Sequence, residues 1–171
     1  MKIAVAGYSG SGKSTLAESL GKKYNCEVLY FDRVQFLPGW EERGLEEKQQ
    51  ITLEFMDTHD SWVIDGNYSR LYWDRRMEEA DLIVLMLFNR FSCLARAIRR
   101  YLKYKGTTRP SIADGCSEKL DREFICWILH GGRTGSVKKK YRSLAEAYPN
   151  KTVIIRNQRQ LDKFYRERDL Q

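Results

Sequence analysis

The feature that most constrains this chain is a glycine-rich octapeptide near its start. Residues 7–14 read Gly-Tyr-Ser-Gly-Ser-Gly-Lys-Ser and match the pattern G-x-x-x-x-G-K-[ST]. An apolar run, residues 3–6, comes before it, and a stretch with helical spacing, residues 14–24, comes after it. A strand before and a helix after are the context in which this pattern forms a phosphate-binding loop. The octapeptide therefore predicts an α/β domain that begins with a P-loop.

The residue types in this loop suit a chain of phosphates. Glycines permit positive φ angles and bring backbone N–H groups close to an anion, and the start of the next helix adds partial positive charge. Lys13 would supply a mobile charge to the β- and γ-phosphates, and the Ser14 hydroxyl would be a ligand for Mg²⁺. A glycine-rich turn without a ligand is the alternative. We predict that ATP is bound by Gly7, Ser9, Gly10, Ser11, Gly12, Lys13, Ser14 and Thr15.

Apolar runs alternate with helical patterns along the rest of the chain. The predicted strands are residues 2–6, 26–31, 62–64, 81–88 and 152–155. The main predicted helices are residues 14–24, 45–59, 91–104, 121–129, 137–147 and 158–168. This alternation predicts a doubly wound parallel sheet of five strands. A length of 171 residues fits one such domain, so we expect residues 1–171 to form a single P-loop domain.

Residues 105–135 form a long insertion in this pattern. Residues 105–116 are polar and loop-like, residues 121–129 are helical, and glycines lie on both sides of Arg133. Long insertions in compact domains often serve a function, so we predict a lid over the site. The flanking glycines would let Arg133 swing onto the γ-phosphate as charge spreads over its oxygens.

Two carboxylates follow apolar runs: Asp65 after residues 62–64 and Asp32 after residues 26–31. Ligands of open α/β sheets bind outside the carboxyl ends of the strands. We predict that Asp65 contacts Mg²⁺ as a Walker-B carboxylate does, and that Asp32 binds or orients an acceptor hydroxyl. A turn-forming Asp-Gly pair at Asp65 and loop solvation or helix capping at Asp32 are the alternatives. The aromatic residues of 36–40 could stack on a planar acceptor or plug the gap between helix and sheet.

The helix predicted over residues 91–104 is basic and amphipathic. Its apolar stripe is Leu94, Ile98 and Leu102, and its other side carries Arg96, Arg99, Arg100 and Lys103. Like charges at this spacing repel one another, so a bound anion is one reason to keep them together. A solvated basic face is the alternative.

Composition limits the partners and the compartment. The net charge of +7 favours polyanions, which include nucleotides, phosphorylated acceptors and nucleic acid. No apolar run is long enough to span a bilayer, so we expect no membrane partner. The chain enters a strand directly after Met1-Lys2, which leaves no room for a signal peptide and predicts a cytoplasmic protein. The four cysteines form no CxxC pair or zinc spacing and are predicted to be reduced thiols.

With these residues in place, the chain resembles the adenylate-kinase branch of P-loop kinases. It is more closely similar to the FlaR-related topology modulation proteins. The similar stretches are residues 7–14, Asp32 with residues 36–40, residues 62–69, residues 90–100, and residues 108–127.

The resemblance implies a nucleoside-monophosphate-kinase-like fold with sheet order 2-3-1-4-5 and a helical lid. It implies roles in binding the phosphates and Mg²⁺ for Lys13, Ser14 and Asp65. Arg96 and Arg100 fall where lid-entry arginines occur in those kinases, and Arg133 where a lid-exit arginine occurs.

The favoured function is an ATP- and Mg²⁺-dependent phosphotransferase of the nucleoside or nucleotide kinase type, acting on a small acceptor. The predicted catalytic residues are Lys13, Asp32, Arg96, Arg100 and Arg133, with Ser14 and Asp65 at the metal. The alternative is a nucleic-acid-binding P-loop NTPase that affects DNA topology, consistent with the positive charge. A nucleotide-sensing regulator without turnover is a third hypothesis.

Overall fold

The structure is a computed structural model of the chain, and it describes residues 1–170. The strands are β1 (Lys2–Gly7), β2 (Glu27–Tyr30), β3 (Phe36–Leu37), β4 (Glu41–Glu42), β5 (Trp62–Asp65), β6 (Leu82–Met86) and β7 (Thr152–Ile155). The helices are α1 (Lys13–Tyr24), α2 (Phe31–Gln35), α3 (Leu45–Thr58), α4 (Trp73–Glu79), α5 (Arg90–Tyr104), α6 (Arg122–Leu129), α7 (Gly135–Ala147) and α8 (Gln158–Glu167). Two short 3₁₀ turns, Pro38–Trp40 and Gly131–Arg133, complete the regular structure.

Five strands form one parallel sheet in the order β2-β5-β1-β6-β7. This confirms the predicted α/β fold with a five-stranded parallel sheet. Strands β3 and β4 lie outside the sheet and pair with each other as an antiparallel hairpin. When the sheet strands alone are counted along the chain, their order is 2-3-1-4-5. The hairpin and helix α2 are the elements between β2 and α3 that the sequence pattern did not predict.

Helices cover both faces of the sheet, because its central strands are apolar on both sides. Strands β1, β5 and β6 are buried almost throughout. One face packs on a cluster that includes Leu16, Leu20 and Phe164, and the other on a cluster that includes Met56 and Met77. Burying a side chain of this size contributes about 1.5–3 kcal/mol each. No helix within residues 1–170 is long and apolar enough to cross a membrane.

The strand register brings the functional ends of the sheet together. Asp65 pairs with Val5 of β1 on one side and with Tyr30 of β2 on the other. The carboxyl ends of β1, β2 and β5 therefore lie at one edge, where the P-loop, α2 and the residues after Asp65 emerge. This is the edge at which open α/β sheets bind ligands.

Helix α5 packs through small residues, with its large apolar side chains turned outward. Cys93 and Ala97 are buried, whereas Phe91 is 73% and Leu102 is 69% exposed. The small side chains let α5 approach the P-loop closely: a Cβ atom built on Gly10 would lie 2.6 Å from the Cys93 carbonyl oxygen. Of the apolar stripe predicted for this helix, Leu94 packs against the core, whereas Leu102 at the other end is exposed to solvent.

Candidate nucleotide and acceptor site

The P-loop, residues 7–14, curls back on itself between β1 and α1. The Ser11 N–H donates to the Tyr8 carbonyl at 3.2 Å, and Tyr8 N–H donates to Met86 O at 3.1 Å. Gly10 has φ +76° and Gly12 has φ +96°, conformations that favour glycine. A tight turn with glycines at positive φ is the kind of backbone from which anion-binding nests are built.

The start of α1 offers further donors to an anion. The helix begins at Lys13, and its N-cap residue Gly12 has no side chain to cap the first amides. The first N–H groups of a helix have no acceptor within it, so those of Lys13, Ser14 and Thr15 suit phosphate oxygens. The Ser11 hydroxyl is buried and has no hydrogen-bond partner within residues 1–170. The residues of this loop thus fit the triphosphate of a nucleotide.

Lys13 lies over the loop, where its Nζ donates to the Tyr8 carbonyl at 3.1 Å. The ammonium group is partly buried, and Lys13 lines the same cavity as Asp65. Its charge lowers the pKa of the Asp65 carboxyl against the larger, opposite effect of burial. Lys13 is therefore placed between the phosphate nest and the carboxylate end of β5.

Asp65 combines burial with an unused oxygen. Its residue surface is 6% exposed, and its Oδ1 has no hydrogen-bond partner in the described part of the chain. Burial raises the pKa of Asp65, while Lys13 and a hydrogen bond with Ser14 act in the opposite direction. A carboxylate beside a serine hydroxyl is a hard-oxygen set that suits Mg²⁺. These two residues fit a magnesium ion, which takes its other ligands from phosphates and water.

No group of three or more His, Cys, Asp or Glu side chains in residues 1–170 is placed to hold a metal ion by itself. The Asp65 carboxylate and the Ser14 hydroxyl would hold Mg²⁺ together with the phosphates of a nucleotide. This matches the general habit of Mg²⁺, which is bound through one or two carboxylates plus substrate phosphates.

Asp32 lies in the first turn of α2, directly after β2, and faces the same cavity as the P-loop. The Tyr68 hydroxyl donates to its Oδ1 at 3.0 Å, and Arg109 Nη2 donates to its Oδ2 at 3.0 Å. The carboxylate is held from two sides and still 42% exposed to the cavity. Burial, followed by the neighbouring Asp32, raises the pKa of the Tyr68 hydroxyl, which therefore stays protonated as a donor.

A chain of ion pairs extends from Asp32 across the lid segment. Arg109 contacts Glu118 through Nε at 3.0 Å, and Arg100 Nε donates to the other oxygen of Glu118 at 2.6 Å. Arg109 also donates from Nη1 to Ser111 at 2.9 Å. The Glu118 side chain is 2% exposed. This ion-pair chain, Asp32–Arg109–Glu118–Arg100, closes one end of the cavity.

The cavity has a volume of about 1090 Å³ and opens between the P-loop, the hairpin and the lid segment. Aromatic side chains form much of its wall. Phe36 and Trp40 make an edge-to-face pair at 5.1 Å between ring centroids. Trp40, with φ +68°, donates from Nε1 to the carbonyl oxygen of Ser117 at 3.1 Å. The hairpin and the lid segment are thus joined across the cavity.

The predicted lid, residues 105–135, packs against the domain. Between α5 and α6, Ile112 and Cys116 are buried, and Cys116 Sγ lies 3.3 Å from the Leu37 carbonyl. At the P-loop end, Trp127 Nε1 donates to Ser9 Oγ at 3.2 Å. The segment therefore contacts both the hairpin and the P-loop, on either side of the cavity.

Arg96 and Arg133 contact the P-loop region from outside the cavity. Arg96 stacks on Phe88 at 4.2 Å and donates to the Ser11 carbonyl at 3.2 Å. Arg133 donates to the carbonyls of Ile128 and Phe88 at 2.8 and 2.9 Å, and its guanidinium lies 3.8 Å from the Tyr8 ring centroid. In this structure both side chains contact the P-loop region on the side that faces away from the cavity. The swing of Arg133 onto a phosphate stays a prediction.

Several residues of the site were not predicted from the sequence. Tyr68 and Asn67 follow Asp65 closely, so their position after a sheet strand was the available signal. The sequence around Glu118 gave no indication of its role, because its position depends on how the irregular segment between α5 and α6 folds back onto the domain. Arg76 is fully buried and donates to the carbonyls of Leu71, Gly66 and Tyr68. It holds the segment after β5 in place.

Comparison with solved structures agrees with this architecture. A deoxyadenosine kinase from M. mycoides with bound dATP matches with a TM-score of 0.55 and 14% identity, covering 99% of this chain and 100% of its own. The same kinase with dCMP and a flexible dCDP matches with a TM-score of 0.51 and 12% identity, covering 99% of both chains. A shikimate kinase from Bacteroides thetaiotaomicron has 15% identity, covers 98% of this chain and 95% of its own, and reaches a TM-score of 0.49.

No family model and no curated protein sequence matches the chain. At such low identity the deoxyadenosine kinase structures establish the fold alone. The chain has the α/β fold of P-loop kinases.

Proposed function

We propose that this protein is an ATP- and Mg²⁺-dependent phosphotransferase that transfers the γ-phosphoryl group to a hydroxyl of a small acceptor. One observation carries the proposal: the Asp32 carboxylate, held by Tyr68 and Arg109, lines the same cavity as the P-loop and Asp65. A phosphate nest and a held carboxylate in one cavity are the two halves that phosphoryl transfer to a hydroxyl requires.

The residues divide the work as follows. Loop amides and Lys13 bind the β- and γ-phosphates, and Ser14 with Asp65 would hold Mg²⁺. When bound, Mg²⁺ neutralises charge on the phosphate oxygens. Asp32 accepts the proton of the acceptor hydroxyl while the oxygen of that hydroxyl bonds to the γ-phosphorus. The bond between the γ-phosphorus and the β–γ bridging oxygen breaks, and ADP leaves.

Among the predicted catalytic arginines, Arg100 lines the cavity. Its Nε is paired with Glu118, which also contacts Arg109, so it positions the ion-pair chain that ends at Asp32, while Arg96 and Arg133 keep the P-loop in shape. Positioning of this kind matters because phosphoryl transfer depends mainly on orientation and electrostatic stabilisation.

The relationship to known proteins supports the same class. The two deoxyadenosine kinase structures contain dATP in one case and dCMP with dCDP in the other. We extend nucleotide binding, with ATP as donor, to this chain. The resemblance of residues 7–14, 62–69 and 108–127 to FlaR-related topology modulation proteins supports placing the chain in that family.

A test compares ADP formation by the wild-type chain and Lys13→Met, with Mg-ATP and a panel of nucleosides, nucleoside monophosphates and small alcohols. We expect acceptor-dependent ADP formation that falls by about 10²–10³ in Lys13→Met, since a preorganised donor to the phosphates is lost. Lys139→Met, an exposed site on α7, is the matched control and should keep full activity. ADP formation that no acceptor stimulates, or that survives in Lys13→Met, contradicts the proposal.

Nucleic acid as the partner is a separate hypothesis, supported by the net charge of +7. Phosphate-backbone binding of this kind weakens steeply as salt rises. A titration with duplex DNA at low and physiological salt tests it, and absence of binding at low salt excludes it.

A further inference from the structure

We propose that the acceptor is an uncharged nucleoside, rather than a nucleoside monophosphate or another anion. This inference rests on the phosphotransferase function proposed above and assigns the substrate class of that same cavity. It comes from the way the cations at the acceptor end are paired.

Arg109 is the cation nearest to Asp32, and each nitrogen of its guanidinium lies against a protein group, through two hydrogen bonds and one ion-pair contact. Nη2 donates to Asp32, Nη1 donates to Ser111, and Nε faces Glu118 at 3.0 Å. Its side chain is only 10% exposed. An acceptor phosphate is bound best by a guanidinium with a free fork of N–H groups, and Arg109 does not offer one.

Arg100 is the second cation at this end, and it shares the same carboxylate. Its Nε donates to Glu118 at 2.6 Å. Glu118 therefore sits between two guanidinium groups, and Asp32 pairs with one of them. Two carboxylates balance two arginines in the ion-pair chain, so this end of the cavity carries no net charge with which to attract a phosphate.

The cavity lining carries more acidic than basic side chains, although the protein as a whole is positively charged. The lining residues include seven Asp or Glu side chains and four cations, whereas the chain as a whole is at +7. The four are Lys13, Arg100, Arg109 and Lys119. Lys13 serves the nucleotide, and Lys119 Nζ lies 4.8 Å from the centre of the Trp40 ring. A dianionic acceptor next to Asp32 and Glu118 would meet like charges at short range.

The walls around this neutral end suit a flat heterocycle. Phe36 and Trp40 form one aromatic corner, and Tyr104 and Phe124 also line the cavity. Aromatic faces stack well on planar rings, and base stacking does not need a charged ligand. A sugar hydroxyl on the same molecule would then reach Asp32. A neutral base joined to a hydroxyl-bearing sugar matches both features.

The test measures kcat/KM of the wild-type chain, with saturating Mg-ATP, on matched pairs: adenosine and AMP, deoxyadenosine and dAMP, cytidine and CMP, guanosine and GMP. We expect at least one nucleoside to be preferred over its own 5′-monophosphate by at least tenfold. A monophosphate that is used as well as the best nucleoside, or better, overturns this inference and leaves the phosphotransferase function standing. No ADP formation with any of these nucleosides and monophosphates also overturns this inference, and the wider panel that includes small alcohols then decides the phosphotransferase function.

A second measurement tests the charge argument directly. Glu118→Gln keeps the shape but removes the negative charge shared by Arg100 and Arg109, so the ratio of kcat/KM for monophosphate over nucleoside should rise about tenfold. Glu167→Gln on α8, which loses an exposed ion pair with Lys163, is the matched control and should leave the ratio unchanged. A folded Glu118→Gln protein with an unchanged ratio contradicts the argument. If that variant does not fold, calorimetric titration of the wild-type protein with adenosine and AMP in the presence of Mg-ADP decides, and tighter AMP binding overturns the inference.

Discussion

The Asn67 side chain closes on the backbone of Gly7 with both of its polar atoms. Its Oδ1 accepts from the Gly7 N–H at 2.8 Å, and its Nδ2 donates to the Gly7 carbonyl at 2.6 Å. The residue two positions after β5 thus fixes the first residue of the P-loop, 60 positions earlier in the chain. A single amide joins the segment that carries Asp65 to the P-loop.

Asn67→Ala should weaken both stability and nucleotide binding. It leaves two backbone groups of Gly7 without their partners, which costs about 1–3 kcal/mol, and it lets the loop relax from its binding shape. Urea denaturation gives the first quantity, and calorimetric titration with Mg-ATP gives the second. Asn150→Ala, at an exposed turn before β7, should change stability by less than about 0.5 kcal/mol. Unchanged ATP affinity in Asn67→Ala would show that the loop holds its shape without this contact.

Gly10→Ala should damage the loop more than the fold. The new Cβ would lie 2.6 Å from the Cys93 carbonyl, at a residue with φ +76°, so the loop must move away from α5. We expect a loss of about 1–3 kcal/mol in the free energy of unfolding, measured by thermal unfolding. We also expect at least a tenfold loss in ATP affinity, measured by calorimetry.

The control for this change is Gly135→Ala. Gly135 is the first residue of α7, where a Cβ atom would have nothing within 4 Å. Alanine favours the helix over glycine by up to about 1 kcal/mol, so this variant should be as stable as wild type or slightly more so. If Gly10→Ala behaves like Gly135→Ala, the close approach of α5 to the P-loop is not a constraint on binding.

The sheet and the nucleotide half of the site could be predicted because their signals are local. A continuous apolar run marks a buried parallel strand, and the P-loop pattern specifies backbone conformation and chemistry together. Asp65 follows from the end of such a run. Each of these predictions needs only neighbouring residues.

The acceptor half depends on contacts between distant residues, which periodicity does not report. Arg109 reaches Asp32 across 77 positions because the irregular segment after α5 folds back onto the hairpin. Arg76 is fully buried, with backbone carbonyls as acceptors and the Phe31 ring 4.4 Å from its guanidinium, a position that a charged residue on a short helix does not indicate from sequence. The packing of α5 likewise involves a distant contact, because Gly10 of the P-loop lies against the Cys93 carbonyl.

Asp65→Asn should separate stability from function. Burial raises the pKa of Asp65, while Lys13 and Ser14 act in the opposite direction, so ionising this carboxyl costs more in the folded protein than in the unfolded chain, and a neutral isostere removes that cost. We expect the free energy of unfolding to stay within about 1 kcal/mol of wild type or to rise. Binding of ATP should lose its dependence on Mg²⁺, as calorimetry with and without the metal will show. Asp60→Asn, an exposed site before β5, should retain that dependence. Retained Mg²⁺ dependence in Asp65→Asn would contradict the assigned metal site.

Lys140 links α7 to the segment after β5 and should give the protein a pH-dependent stability. Its Nζ donates to Ser69 Oγ at 2.6 Å and lies 3.3 Å from the centre of the Trp73 ring. Burial lowers the pKa of Lys140 from 10.5 to about 8; the nearby Arg76 lowers it further, and Asp74 opposes the shift.

The sign of the effect follows from proton binding. Between pH 8 and about 10 the unfolded chain holds a proton on this lysine that the folded chain has released, so the free energy of unfolding should rise with pH. The slope for one proton is at most about 1.4 kcal/mol per pH unit, and solvent around this half-buried group reduces it. Measurements should stop near pH 9.5, because burial raises the pKa of Tyr30 to about 12, and ionisation of this tyrosine in the unfolded chain reverses the trend.

Lys140→Met should therefore flatten the dependence of unfolding free energy on pH between 7.5 and 9.5, measured by urea denaturation at several pH values. Lys139→Met, the exposed neighbour on the same helix, should keep the slope of the wild-type protein. Because the two variants remove the same formal charge, a difference between them isolates the buried environment of Lys140. Equal slopes in the two variants would mean that Lys140 is solvated as a surface lysine is, and that α7 is not coupled through it to the segment that carries Asn67.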